Sequence, residues 1–171
     1  ANDTRVQDKA RDEVLSYLPT YAATGEDVQQ LPYIRQIIDE SLRLYPPAAL
    51  VSRTAMVTST LCGREVRKGD TVIIPIYALH RHHMLWDDPD AFYPERFENT
   101  KDMPRYAYLP FGGGPRICIG ASFAIQEAVI ILATLLKHFR FRPVKGRAPS
   151  PEMTLTLRPE GGVWLMADPL E

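Results

Sequence analysis

Apolar positions along this chain recur with a helical period in some stretches and thin into short β-like runs between them. Residues 4–18 read as an amphipathic helix with Asp8, Lys9, Arg11, Asp12 and Glu13 on its outer face. A polar connector over 20–30, containing Gly25, follows Pro19. In residues 31–45, Ile34, Ile37, Ile38 and Leu42 return at helical spacing, so this second helix buries one face. Pro32 suits its first turn and Pro46-Pro47 ends it. Residues 48–57, 60–66 and 71–76 read as short strands, with turn chemistry at Cys62-Gly63-Arg64 and Lys68-Gly69-Asp70. From 78 to 103 the chain is rich in Pro, Asp and aromatic residues, which predicts a short helix and then an ordered meander. A long apolar helix starts near Ala121 and ends near His138. In the tail, runs at 153–157 and 163–166 would pair as a hairpin through Gly161-Gly162. Helices come first, with strands short and never in regular alternation with them. The expected fold is therefore mainly α with small β-sheets, an α+β arrangement.

Composition narrows the picture. With 171 residues, 45% of them hydrophobic, the chain can build one real core. A formal net charge of -1 gives no reason to expect nucleic acid as a partner. Two cysteines, Cys62 and Cys118, cannot make a disulfide framework, and no secretory signal is evident, so a reducing, cytoplasmic setting is expected. The apolar stretch from 117 to 136 is interrupted by Gln126 and Glu127, and its uncharged part falls short of the roughly 20 residues that cross a bilayer. It reads as a core helix.

Two features carry chemistry. The first is Phe111-Gly112-Gly113-Gly114-Pro115-Arg116-Ile117-Cys118-Ile119-Gly120, a glycine-rich loop that delivers one cysteine to the start of the long helix. Unpaired N–H groups and the positive end of the helix dipole favour thiolate over thiol there. Thiolate is the form that ligates a metal or attacks an electrophile. The glycines let the backbone approach a flat, bulky partner. The second feature is Glu40 and Arg43, three apart on one helix face beside Ile37 and Ile38, which would place a charged pair partly inside the core. Pro94-Glu95-Arg96-Phe97 offers a second guanidinium to complete it. His80, His82 and His83 form a cluster without a cysteine or carboxylate at metal-ligand spacing, and are assigned to packing. Cys62, placed in a strand beside a turn, is read as an inert thiol.

Three motifs together, Glu-x-x-Arg on a helix (Glu40, Arg43), Pro-Glu-Arg-Phe in a meander (94–97) and Phe-x-x-Gly-x-Arg-x-Cys-x-Gly before a long helix (111–120), resemble the haem-thiolate cytochrome P-450 superfamily in order and spacing. The resemblance implies that Cys118 is the axial thiolate of haem b (iron protoporphyrin IX), pushing electron density toward the iron. It also implies a cofactor cradle of Phe111, Gly112, Arg116, Cys118, Gly120 and Ala121. The N–H groups near Gly120 and Ala121 would tune the sulfur, and Phe111 would pack against the ligand loop on the haem's proximal side. Arg116 and Arg53 would each meet a haem propionate through the planar guanidinium fork. Glu40, Arg43 and Arg96 would form a structural triad behind the loop. Ala48, Ala49, Leu50, Val51 and the turn around Leu155 would border a cavity for a lipophilic substrate.

The activity so implied is monooxygenation, with O2 as co-substrate and electrons from a ferredoxin or flavoprotein reductase. Lys101, Arg105 and Arg116 give the approach to the loop a basic character that could steer an acidic donor. The family's distal helix and its acid/alcohol pair have no counterpart among these residues. The whole of 1–171 is therefore expected to be the C-terminal portion of a single domain, inactive by itself, completed by the N-terminal part of the same enzyme or by a second polypeptide. Peroxide-driven oxygenation or isomerisation, and a non-catalytic haem-thiolate sensor, stay open as alternatives.

Overall fold

The computed structural model describes residues 1–18 and 23–170; Pro19 and residues 20–22 of the expected connector lie outside them. Helix α1 (Thr4–Tyr17) starts where Asp3 accepts a hydrogen bond from the Val6 N–H at 3.0 Å. Helix α2 (Pro32–Leu44) has proline in its first turn and no capping side chain of its own. Glu13 of α1 caps it instead, accepting from the Tyr33 and Ile34 N–H groups at 2.8 and 2.9 Å. One of the charges assigned to the outer face of α1 thus turns inward, because orphan donors at a helix start reward any carboxylate within reach. Burial pushes the Glu13 carboxyl up, while the two backbone N–H groups pull against that shift. Glu13→Ala should cost about 1–2 kcal/mol, as loss of an N-cap does, read as a lower unfolding midpoint. An unchanged midpoint would show that solvent caps α2 equally well.

The main core lies where α1 and α2 meet the long helix α4 (Ala121–His138). Val6, Ala10 and Val14 of α1, Ile34 and Ile37 of α2, and Ile125, Val129, Ala133 and Leu136 of α4 are buried together at i, i+3 or i+4 spacing. Ala10 and Ala133 are fully covered, and their small side chains permit close helix approach. The expectation of a core helix holds for one face of α4 only. Phe123, Ile131 and Leu135 on its other side are exposed. Among the described residues α4 is the one helix long and apolar enough, by length and composition, to cross a membrane.

Among the described residues, four two-stranded antiparallel sheets accompany these helices, giving the mixed α+β fold. β1 (Val51–Thr54) pairs with β4 (Thr71–Ile74) and encloses the hairpin of β2 (Ser59–Leu61) and β3 (Arg64–Val66). The single strand expected over 60–66 is therefore two. Cys62 and Gly63 form the turn between them, with φ of 49° and 76°. Positive φ at both central residues matches the right-handed twist of a hairpin.

The tail departs further from its expected pattern. β5 (Phe139–Pro143) pairs with β8 (Leu165–Pro169), while β6 (Pro151–Met153) pairs with β7 (Leu157–Pro159). Residues 154–156 turn the β6–β7 hairpin. Gly161-Gly162, both at positive φ, redirect the chain toward β5 instead of closing a hairpin. The Phe139-Arg140-Phe141-Arg142 alternation is the sequence pattern that underlies β5. Buried Gln7 ties this sheet to α1 through both polar atoms, donating to the Phe141 carbonyl at 3.0 Å and accepting from its N–H at 2.7 Å.

Between β4 and α4 run the short helix α3 (Ile76–Leu79) and the meander, with a 3-10 turn at Pro94–Phe97. Trp86, Phe97 and Ala107 form a second core there, with Tyr108 packed against it.

Candidate functional site

At the centre of the meander lies a buried charged cluster. Glu40 and Arg43, wholly buried on α2, face each other in a forked pair, with Arg43 Nε to Glu40 Oε2 at 2.7 Å and Nη2 to Oε1 at 2.9 Å. A buried ion pair is tolerable only when its remaining capacity is met. Here Arg43 Nη1 donates to the carbonyls of His80 at 2.8 Å and Pro89 at 2.6 Å, and Nη2 donates to that of Ala91 at 3.0 Å. Its five N–H donors are thereby all used. Glu40 Oε1 accepts in addition from Arg96 Nε at 3.0 Å and the Tyr93 N–H at 2.8 Å. Arg96 goes on to the carbonyls of Asp87 and Asp88 at 3.0 and 3.4 Å. Two guanidiniums thus gather five meander carbonyls and fix an irregular segment that has no sheet or helix to pair its backbone.

Neighbouring charges extend the cluster to α1. Glu95 accepts from Arg5, Lys9 and the Tyr33 hydroxyl at 3.0, 3.0 and 3.1 Å. Burial pushes its carboxyl up, but hydrogen bonds from Lys9, its own backbone, Arg5 and Tyr33 prevail and hold it at about 2. Tyr108 donates to Asp39 Oδ1 at 2.9 Å, and burial, then the Asp39 charge, pushes its hydroxyl well up, so it stays neutral.

The cysteine loop leaves this frame at Leu109. Gly112 at φ 74° donates to the Leu109 carbonyl at 3.0 Å, and a 3-10 turn runs over Gly114–Arg116, with Gly114 at φ 69°. The chain then folds back so that the Cys118 N–H donates to the Phe111 carbonyl at 2.9 Å. Phe111, half-buried, packs against the main core and anchors the loop from beneath. Gly120 caps α4, and the Ala121 N–H is given to the Cys118 carbonyl at 3.3 Å. A Cβ on Gly113 would come within 3.1 Å of Leu109 Cδ2, and one on Gly120 within 3.9 Å of Cys118 Sγ. Gly112→Ala should cost about 1–2 kcal/mol, the penalty of an L side chain in left-handed backbone. The loss should show as a lower unfolding midpoint, and an unchanged midpoint would mean that the loop relaxes without strain.

Cys118 is exposed at the tip of this loop. Around it stand Ile119, fully exposed, and the exposed Ile117 and Phe123. Apolar side chains in the open beside a thiol fit a flat, largely apolar ring system whose metal accepts a soft sulfur donor. Arg116 is exposed and makes no hydrogen bond or ion pair among the described residues, while Arg53 on β1 is exposed and donates only to the Ser52 carbonyl at 2.7 Å. The Arg116 fork is free to take a carboxylate, whereas Arg53 would have to turn Nη1 away from Ser52 to offer its whole fork. Donor, apolar surround and cations therefore fit an iron porphyrin.

Other residues from the sequence reading lie apart from the loop in the chain. Ala49 is buried, Ala48 and Val51 are half-buried, Leu50 is 44% exposed, and Leu155 at the β6–β7 turn is 97% exposed. The Leu157 N–H donates to the Pro47 carbonyl at 2.8 Å, so the segment before β1 and the β6–β7 hairpin do meet. His82 and His83 stack in the open with ring centres 5.1 Å apart, whereas His80 is wholly buried.

A cysteine loop backed by a buried carboxylate–guanidinium cluster, in this mixed fold, defines a recognised class. Over residues 1–166 the chain matches the cytochrome P450 family, and it belongs to that family. Among its relatives, rat "Cytochrome P450 4F1" is 39% identical over 99% of this chain and 33% of its own length. "Putative cytochrome P450 132" of Mycobacterium tuberculosis is 41% identical over 91% of this chain and 35% of its own. Mouse "Leukotriene-B4 omega-hydroxylase 3" is 38% identical over 99% and 33%. The chain spans about a third of the length of these relatives.

Proposed function

We propose that this chain is the haem-holding proximal part of a monooxygenase that places one atom of O2 into a lipophilic substrate. The observation that carries the reading is Cys118, exposed just before α4 on a loop braced by Phe111 and flanked in the chain by the exposed Ile117 and Ile119. Bound there, haem b would supply the oxygen-activating chemistry. The chain's own residues do the rest. Cys118 holds the iron as thiolate, and Arg116 and Arg53 hold the propionates. Glu40, Arg43 and Arg96 keep the meander and loop in place without touching the reaction. Ala48, Leu50, Val51 and Leu155 offer small or apolar surface to the substrate, with buried Ala49 packed behind them. Exposed Lys101, Arg105 and Arg116 present a basic approach to an acidic ferredoxin or flavoprotein donor. The free Cys118 that this role needs fits a reducing, cytoplasmic setting.

The reduced carbon monoxide spectrum of the intact haem-loaded protein tests the reading. A thiolate-type band supports it, and an imidazole-type band or no haem uptake overturns it. Product formation from a long-chain lipid, suggested by the leukotriene hydroxylase relative, should need an electron donor. Turnover with peroxide alone would place the protein among peroxygenases.

A further inference from the structure

His80 is the one fully buried histidine among the described residues, and both of its ring nitrogens are engaged by segments far away in the sequence. Its Nε2 lies 2.8 Å from the Leu109 N–H, which can only donate, so Nε2 is the acceptor. Nδ1 must then carry the proton, and it donates to the Arg43 carbonyl at 3.1 Å. Arg43 answers with Nη1 on the His80 carbonyl at 2.8 Å. Leu109 stands two residues before Phe111, and its own carbonyl holds the Gly112 N–H. One imidazole therefore joins the last turn of α2 to the root of the cysteine loop.

We propose that His80 is a positioning residue for Cys118: as the neutral Nδ1–H tautomer it clamps the Leu109 N–H to the end of α2, and its protonation opens that clamp. A protonated ring has two donors and no acceptor, so Nε2–H would face the Leu109 N–H donor to donor. Among the described residues, the charges that act on the ring are both cationic, Arg43 from α2 and Arg81 from its own segment. Glu40 is spent on Arg43, Arg96 and the Tyr93 N–H. The meander presents only the rings of Trp86 and Tyr108, with centres 6.5 and 5.4 Å away, and the Tyr108 hydroxyl is held by Asp39. Burial above all, with the Arg43 and Arg81 charges, lowers the ring's pKa to about 4. The folded state thus binds its proton later than the unfolded state does. The clamp's contribution is fully present above the ordinary histidine range near 6.5 and is lost as pH falls toward about 4.

The inference deepens the haem-thiolate reading in its spectroscopic arm, while its exchange arm does not depend on that reading. In the intact haem-loaded protein, His80→Gln retains an acceptor for Leu109 but cannot titrate, and His80→Asn retains a donor for Arg43 but leaves Leu109 unmatched. Leu109 amide exchange should match wild type in His80→Gln and quicken at least about tenfold in His80→Asn, as when a buried N–H loses its acceptor. On acidification from pH 7, the wild type should lose its thiolate-type carbon monoxide band as the imidazole protonates, and His80→Gln should lack that step. Equal Leu109 exchange in His80→Asn and wild type, or the same acid step in His80→Gln, would overturn the proposal. Should the variants not fold, nitrogen NMR of the wild type decides. An Nδ1–H tautomer, with Leu109 exchange rising as it protonates, supports the clamp, and an Nε2–H tautomer sinks it. A wild type with no thiolate band at any pH would defeat the Cys118 reading and leave the exchange result standing.

Discussion

Arg43→Met should destabilise the protein by about 3–5 kcal/mol, the usual consequence of removing one partner from a buried ion pair. Methionine fills much of the space, so the loss is electrostatic and not a matter of volume. Glu40 would keep Arg96 and the Tyr93 N–H but lose its forked partner, and the carbonyls of His80, Pro89 and Ala91 would lose their donor. Buried polar groups left in that state cost far more than the net worth of the bonds they made. Arg96→Met gives the comparison. Its bonds to Asp87 and Asp88 lie in exposed surroundings, so about 1–2 kcal/mol is expected. Urea unfolding of the intact protein with haem content measured alongside should rank Arg43→Met well below Arg96→Met in both. Equal values for the two variants would remove Arg43 from the centre of the frame.

Cys118→Ser should separate fold from function. Cys118 is exposed, and its backbone bond to Phe111 does not involve the side chain, so apoprotein stability should move by no more than about 0.5 kcal/mol. A serine hydroxyl cannot replace a soft, anionic sulfur at iron. The thiolate-type carbon monoxide band should vanish, and with it the donor-dependent oxygenation proposed above. Stability lost together with the band would make Cys118 a folding residue, contrary to its place at the loop tip.

Much of this was legible in one dimension because the governing interactions are local. The helices announce themselves by period, and Glu40 and Arg43 share a face at three-residue spacing. The cysteine loop is a contiguous motif, and its glycines fall where positive φ is needed, at Gly112 and Gly114. What stayed hidden depends on distant partners. Nothing in the stretch Leu79-His80-Arg81-His82-His83 says which histidine turns inward, since its partners lie 37 and 29 positions away. Glu13 reads as one more surface charge until α2 arrives with two bare N–H groups. Gly161-Gly162 has hairpin chemistry, yet β8 finds β5 because that strand waits unpaired directly after α4. The open side of α4 has a similar origin. Its composition calls for burial all round, but α1 and α2 cover only one stripe.

X-ray absorption at the iron edge of the intact protein, with and without Cys118→Ser, tests the central claim most directly. The account predicts one sulfur neighbour at iron in the wild type and none in the variant. An iron surrounded by nitrogen and oxygen alone in the wild type would contradict it.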